Sequence, residues 1–96
     1  MLQIEKKNEG NRLTLVLTGE LDSITSPDLD REVQDMDGFD EVVLDMKGLA
    51  YTSSAGLRVI LGLKRRLAGR PLKLESIGVE VREVLDMTGS SKLLGL

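Results

Sequence analysis

Cysteine and histidine are both absent from this 96-residue sequence. Without cysteine the chain has no disulfide framework and no thiol chemistry. Without histidine it lacks the usual general base and the commonest metal ligand. The aromatic side chains are limited to Phe39 and Tyr51, too few for a surface on which nucleic-acid bases could stack. We therefore expect no enzymatic activity, no metal or other cofactor, and no nucleic-acid partner.

Long apolar runs are missing as well, and no stretch approaches the roughly 20 residues of a membrane span. The first residues, Met1 to Glu5, lack the basic-then-apolar pattern of a signal peptide. The net charge of −3 disfavours non-specific binding to DNA or to acidic lipid. These absences predict a cytoplasmic protein with no direct membrane insertion.

The composition is that of a folded protein, with 41% hydrophobic and 30% charged residues. A chain of this length forms one domain with a modest core. No internal repeat or linker interrupts it. We therefore treat residues 1–96 as a single domain.

The first half of the chain predicts a β-hairpin followed by a helix. Apolar residues alternate with polar ones from Leu2 to Glu5 and again from Leu13 to Thr18, around a turn signal at 8–11. Gly19-Glu20-Leu21-Asp22 reads as a loop that leaves the second strand. Ser26-Pro27 suits a helix start, with Ser26 as the cap and the helix near 27–37.

The second half predicts alternating strands and helices. Val42-Val43-Leu44 reads as a strand covered on both faces. A long helix follows at 54–68 and ends at Gly69-Arg70-Pro71, and a strand at 72–75 precedes a helix near 79–88. The order ββαβαβα predicts an α/β fold, a mixed sheet of about four strands with helices packed against it. Functional loops in such folds lie at the carboxyl ends of strands, here 19–25 and 45–54.

Ser54, at the predicted start of the long helix, has three interpretations. Its hydroxyl could cap the helix by accepting a hydrogen bond from a first-turn amide. It could be a nucleophile, but histidine is absent and Lys47 is the only lysine nearby in sequence. It could accept a phosphate, because the free amides and dipole of a helix N-terminus favour negative charge. Gly56 would let a nucleotide-bearing partner come close.

The segment from Leu44 to Leu61, with Thr52-Ser53-Ser54-Ala55-Gly56-Leu57-Arg58 at its centre, resembles the signature of the STAS domain family, in its bacterial anti-sigma factor antagonist branch. Gly19-Glu20-Leu21-Asp22 resembles that family's first functional loop, and the segment 81–89 resembles its last helix. The resemblance covers about residues 2–95, so residues 1–96 are identified as a single STAS domain.

The resemblance implies a regulatory binding protein rather than an enzyme. Its unphosphorylated form would bind a serine-kinase anti-sigma factor and so free a sigma factor. Phosphorylation at Ser54 would release the kinase, and a serine phosphatase would reset the switch. Many members carry an aspartate where this chain has Ser53, which makes Ser53 the second choice of acceptor. The partner-binding residues implied are Asp22, Ser53, Ser54, Ala55, Gly56 and Arg58.

Other residues keep two interpretations each. Asp22 is either a turn-former or a contact in the partner interface, and Asp45 either fixes a loop at a strand end or adds acidity around Ser54. The run Lys64-Arg65-Arg66 favours a solvated helix face over an anion site. Met36, Met46 and Met87 are assigned to packing.

The family also contains a second class of function. Some STAS domains are soluble components of membrane transporter complexes, often of the lipid-handling ABC type. The serine of acceptor type in this chain favours the anti-sigma factor antagonist, and the transporter component remains the alternative.

Overall fold

A mixed sheet forms the centre of the molecule. The computed structural model describes residues 1–34 and 36–96, and in these residues the sheet has four strands, β1 (Leu2–Glu9), β2 (Arg12–Leu21), β3 (Glu41–Thr52) and β4 (Leu72–Glu75). The spatial order is β1-β2-β3-β4. β1 runs antiparallel to β2, while β3 runs parallel to both β2 and β4. The α/β fold with a mixed sheet of about four strands is therefore confirmed.

The helices are α1 (Ser26–Glu32), α2 (Ser54–Leu67), α3 (Val79–Met87) and α4 (Ser90–Leu93). α4 adds one helix to the predicted order ββαβαβα. α1 ends earlier than predicted, because Val33 leaves helical geometry with ψ near 4° and a short 3-10 turn follows at Met36–Gly38. Residue 35 of the predicted helix lies outside the described residues.

The hydrophobic core follows the alternation in β2 and the continuous run in β3. Leu13, Leu15 and Leu17 are buried, as expected for one face of a strand. Val42, Val43 and Leu44 are all buried, which confirms that β3 is covered on both faces. Leu15 lies opposite Leu44 in the register of the two parallel strands. The centre of the sheet is therefore excluded from solvent.

β3 is longer than the sequence predicted. The segment read as a loop from Asp45 continues as strand to Thr52, and the register against β2 shifts between Val16 and Thr18 and again between Gly19 and Glu20. Such irregularities break the alternation of side chains. Met46 and Leu49, three positions apart, are consequently both buried. The loop assignment was wrong because a bulge interrupts the alternation of buried and exposed side chains by which a strand is recognised in a sequence.

The end of β2 needs the same correction. Gly19, Glu20 and Leu21 belong to β2, and the loop begins only at Asp22. Asp45 lies inside β3 rather than at its end, and its Oδ1 accepts a hydrogen bond from the Lys47 N–H at 3.0 Å. It therefore fixes a strand irregularity at a distance from Ser54.

The methionines divide into two groups. Met36 and Met46 are fully buried, which confirms their assignment to packing. Met87 is 86% exposed, so its assignment was wrong. It lies two residues after the buried Leu85 on α3, about 200° further around the helix axis, and it therefore faces away from the core.

Candidate functional site

Ser53, rather than Ser54, caps α2. Its backbone is extended, and its Oγ accepts a hydrogen bond from the Gly56 N–H at 3.4 Å. Its carbonyl accepts the first helical bond from the Leu57 N–H at 3.0 Å. Ser54 is the first helical residue and is exposed. Its hydroxyl forms no hydrogen bond with any described residue. The capping interpretation of Ser54 was therefore wrong, because Ser54 is already helical and the cap position falls on Ser53.

Gly56 lies on the inner side of α2. A Cβ built on it would lie 2.5 Å from Oγ1 of Thr52 and 2.7 Å from both Cγ and the carbonyl oxygen of Leu21. Both neighbours are fully buried. The absence of a side chain at Gly56 therefore lets α2 pack against the ends of β2 and β3. The sequence had suggested that Gly56 would let a partner come close, but the missing side chain faces the core instead.

The loop after β2 contacts the start of α2 directly. The Ser53 N–H donates to the Leu21 carbonyl at 2.9 Å, and Asp22 follows Leu21. β2 and β3 are parallel, so their carboxyl ends meet at one edge of the sheet. This edge brings Asp22 and its loop beside Ser53 and Ser54, as the parallel arrangement predicted.

Asp22 organises its own loop. Its Oδ1 accepts hydrogen bonds from the Ile24 N–H at 2.9 Å and the Thr25 N–H at 3.0 Å. The bond from the Thr25 amide is the largest of the effects that lower the pKa of Asp22 below its ordinary value. The turn-forming interpretation of Asp22 thus has a geometric basis, and the second carboxylate oxygen makes no hydrogen bond within the described residues.

Thr25 explains why Ser26 does not cap α1. The cap position belongs to Thr25, and no side chain makes a capping bond there. The Thr25 hydroxyl instead donates to the Glu20 carbonyl at 2.8 Å, while its oxygen accepts from the Asp22 N–H at 2.9 Å. The Thr25 hydroxyl is thus occupied in the turn. The predicted cap at Ser26 was wrong because Ser26 is already the first helical residue of α1.

Two exposed apolar side chains lie beside this edge and were not singled out from the sequence. Ile24 is 84% exposed in the loop after β2, and Tyr51 is 47% exposed in β3, three residues before Ser54. An isoleucine inside a loop of polar residues was the available sequence signal for Ile24. Together with the free hydroxyl of Ser54, these side chains give the edge a mixed apolar and polar surface.

Arg58 lies one helical turn after Ser54, on the same side of α2. It is exposed and lines a groove of about 330 Å³ between α1 and α2, together with Asp30. Within residues 1–34 and 36–96 it forms no ion pair. Ala55 is half-buried. Of the predicted binding residues, those that present side chains at the surface are Asp22, Ser53, Ser54, Ala55 and Arg58.

The main chain of Met1 lies at the same edge. Its carbonyl accepts a hydrogen bond from the Glu20 N–H at 3.2 Å, and its ammonium lies 3.9 Å from Oε1 of Glu20. Glu20 precedes the Asp22 loop by two residues. The start of the chain therefore borders the candidate site.

The described residues contain neither a metal-binding cluster nor a membrane-spanning helix. No group of three or more aspartate, glutamate, histidine or cysteine side chains in the described part of the chain could hold a metal ion. None of the described helices is both long enough and apolar enough to cross a membrane.

The structure is similar to solved structures of regulatory proteins. It superposes on an anti-sigma factor antagonist from Mycobacterium paratuberculosis with a TM-score of 0.88, at 19% identity, covering 97% of this chain and 82% of that one. It superposes on the Bacillus cell fate determinant SpoIIAA in its phosphorylated form with a TM-score of 0.73, at 20% identity, covering 99% of this chain and 86% of that one. At these identities the likeness shows a shared fold.

The sequence gives a closer relationship. The chain is 32% identical over 99 aligned positions to a Paenibacillus polymyxa protein named anti-sigma F factor antagonist, an alignment that covers 97% of this chain and 84% of that protein. Residues 3–96 match the family model of the STAS domain. From these two matches and the geometry described above, we conclude that the chain belongs to the STAS domain family.

Proposed function

We propose that this protein is an anti-sigma factor antagonist whose partner binding is switched by phosphorylation of Ser54. In its unphosphorylated form it binds a serine-kinase anti-sigma factor and frees a sigma factor in the cytoplasm. Phosphate on Ser54 releases the kinase, and a separate serine phosphatase restores the binding form. The protein contributes a surface and a phosphate acceptor, with no catalytic step of its own.

The exposed, unbonded hydroxyl of Ser54 is the observation that carries this proposal. A kinase must bring the acceptor oxygen to the γ-phosphate of its nucleotide, so the acceptor has to be accessible. Ser54 is exposed at the first helical position, while Ser53 is half-buried and used as the cap. The geometry therefore favours Ser54 over Ser53 as the acceptor. The relative from Paenibacillus polymyxa, named as an antagonist, supports the same function.

The start of α2 can accept the phosphate without refolding. A phosphoserine carries a charge of about −1.5 to −2 at neutral pH. At a helix N-terminus this charge meets the free first-turn amides and the positive end of the helix dipole. The fold should therefore tolerate the modification, and its main effect should fall on whatever contacts this surface.

The surface around Ser54 has the mixed character of a protein-binding site. Ile24 and Tyr51 supply exposed apolar contacts, and Arg58 supplies a cation that forms no ion pair among the described residues. Aromatic and arginine side chains are enriched in protein interfaces. A kinase that contacts this surface with a neutral serine would have to leave a new charge unpaired after phosphorylation. An unpaired charge in an interface costs about 2–5 kcal/mol.

The test is a phosphorylation assay with the cognate kinase. We expect transfer of label from ATP to the parent chain and to Ser53→Ala, and loss of label in Ser54→Ala, with mass spectrometry placing the phosphate on Ser54. Ser53→Ala is the matched control because it removes the neighbouring hydroxyl. Full labelling of Ser54→Ala would overturn the assignment of the acceptor, and absence of any labelling or kinase binding would favour the transporter-associated role.

A further inference from the structure

A second surface lies at the opposite end of α2 from Ser54. An open groove of about 360 Å³ runs between the last turns of α2 and the short helix α4, against which α2 packs. The residues that line it are Leu61, Lys64, Arg65, Ala68, Gly69 and Leu93. Its floor is aliphatic, and Leu93 is 61% exposed. At a rise of 1.5 Å per residue, Arg65 is roughly 16 Å from Ser54 along the helix axis.

The cations at this groove differ from most others in the chain. Within the part of the chain that the structure describes, Lys64, Arg65 and Lys92 form no ion pair, and Lys92 immediately precedes Leu93 on α4. Six other cationic side chains pair with acids, namely Lys6, Arg12, Arg31, Arg70, Lys73 and Arg82. Lys7, Lys47, Arg58 and Arg66 form no ion pair among the described residues either, but none of them lines the groove. Among the described residues, the groove thus combines an exposed aliphatic floor with positive charge that no acidic side chain pairs, on a chain whose net charge is −3.

The helix dipole accounts for part of this pattern only. Cations in the last turn of a helix stabilise the negative end of its dipole, which explains Lys64 and Arg65 on α2. It does not explain why Leu93 stays exposed on α4, or why Lys92 adds a further cation beside it. Exposed apolar side chains grouped with charges of one sign are typical of a docking surface.

We propose that this α2–α4 groove binds an acidic amphipathic helix of a partner protein, independently of the site at Ser54. Leucine-type side chains of the partner would fill the floor, and its carboxylates would face Lys64, Arg65 and Lys92. The groove is open along one side, whereas small-molecule pockets enclose most of their ligand. An apolar slot flanked by cations instead fits the helix-in-groove mode of recognition. The sequence alone favoured a solvated helix face for the run Lys64-Arg65-Arg66, whereas this proposal assigns Lys64 and Arg65 to a binding surface.

The test is a titration of the uniformly ¹⁵N-labelled full chain, followed by heteronuclear NMR. The probe is a synthetic helical peptide with leucines on one face and glutamates on the other, compared with a scrambled peptide of the same composition. We expect the amphipathic peptide to shift the amides of Leu61, Ala68, Gly69 and Leu93, and to bind more weakly as salt screens the charges. Shifts confined to the Ser54 edge, or equal binding of the scrambled peptide, would overturn the proposal.

Charge-matched variants isolate the groove. The double change Lys64→Glu with Arg65→Glu should weaken peptide binding by about tenfold or more, since two attractive pairs become repulsive. The control is Lys7→Glu with Lys47→Glu. It changes the net charge by the same amount, but at exposed cations of the strands β1 and β3, away from the groove. Equal weakening in both double variants would mean that only overall charge matters, and would overturn the assignment of the groove.

The apolar floor has its own control and its own competing occupants. Leu93→Ser should weaken peptide binding, while Val79→Ser, which changes an even more exposed apolar residue on α3, should not. Groove shifts produced by phosphatidylglycerol vesicles or by decanoate, with none from the peptide, would replace the partner helix with a lipid and overturn the proposal. Groove shifts caused by raising the protein concentration alone would identify a second copy as the occupant, with the same consequence.

Discussion

At Gly56, the absence of a Cβ atom lets α2 pack closely against the sheet. Because Thr52 and Leu21 are fully buried, neither can move away from a new Cβ without disturbing the sheet. We expect Gly56→Ala to lower the free energy of unfolding by about 1–3 kcal/mol, the usual cost of overpacking, as measured by urea denaturation.

Gly62 in the same helix is the matched control for Gly56. A Cβ there would meet only Nη2 of Arg65, at 3.9 Å, which is an ordinary contact. Gly62→Ala should therefore stabilise the chain by up to about 1 kcal/mol through helix propensity. If both substitutions changed stability alike, close packing at Gly56 would not be their cause.

Ser54 is the residue at which stability and binding should separate. Replacing it by aspartate adds a negative charge at the positive end of α2, which the fold accepts within roughly 1 kcal/mol. We expect Ser54→Asp to lower the affinity for the kinase by about tenfold or more, equivalent to ~1.4 kcal/mol, while the melting temperature stays within a few degrees of the parent. Calorimetry of binding and of unfolding measures the two effects. Equal kinase affinity of both proteins would eliminate the switch.

At the scale of elements, the two serines before α2 have different tasks. Ser53 caps the helix, although its bond to the Gly56 amide is long at 3.4 Å. We expect Ser53→Ala to cost about 0.5–1 kcal/mol, at the lower end for caps. Ser54→Ala should change stability by less than about 0.5 kcal/mol, as for an exposed residue with no bonded partner. Thermal unfolding of both variants distinguishes the tasks, and a larger loss in Ser54→Ala would reverse them.

The elements also show where sequence patterns are informative. Strong local signals located α2, because an apolar face and the stop at Gly69 define it within one residue. The bulged end of β3 could not be predicted, since its buried side chains follow the register with β2 rather than alternation.

At the candidate site, too, the sequence predicted some features and could not predict others. The resemblance placed the two serines at a helix start, but the exact first residue of α2 decides which of them caps it, and that residue is Ser54. The burial of Gly56 also depends on packing against Leu21, a residue 35 positions earlier in the printed sequence. Contacts of that range leave no local pattern.

At the scale of the whole molecule, two carboxylates that accept local hydrogen bonds make the stability of the fold depend on pH. Hydrogen bonds from the Thr25 amide and the Ser91 hydroxyl are the main causes that lower the pKa of Asp22 and of Asp86, respectively. A carboxyl group with a lowered folded pKa stabilises the fold above its unfolded pKa, ~3.9 for aspartate. That stabilisation is lost as the pH falls through the folded pKa.

The expected outcome is a melting temperature that falls as the pH is lowered below about 4. The double variant Asp22→Asn with Asp86→Asn should be less stable than the parent at neutral pH and should show a shallower acid dependence. Asp40→Asn is the control, because the Asp40 carboxylate makes no hydrogen bond or ion pair among the described residues. Parallel pH profiles for the parent and the double variant would contradict this account.

The position of Met1 determines where a tether or a label can be attached. Its carbonyl accepts a hydrogen bond from Glu20 beside the Asp22 loop. A linker attached at Met1 to immobilise the protein would therefore crowd the edge that holds Ser54. The exposed turn at Asn11 lies at the other end of the ten-residue strand β2, roughly 30 Å away. Because the chain contains no cysteine, Asn11→Cys would give one attachment point for a fluorophore or biotin. Immobilisation through that point leaves the edge that holds Ser54 accessible to soluble partners.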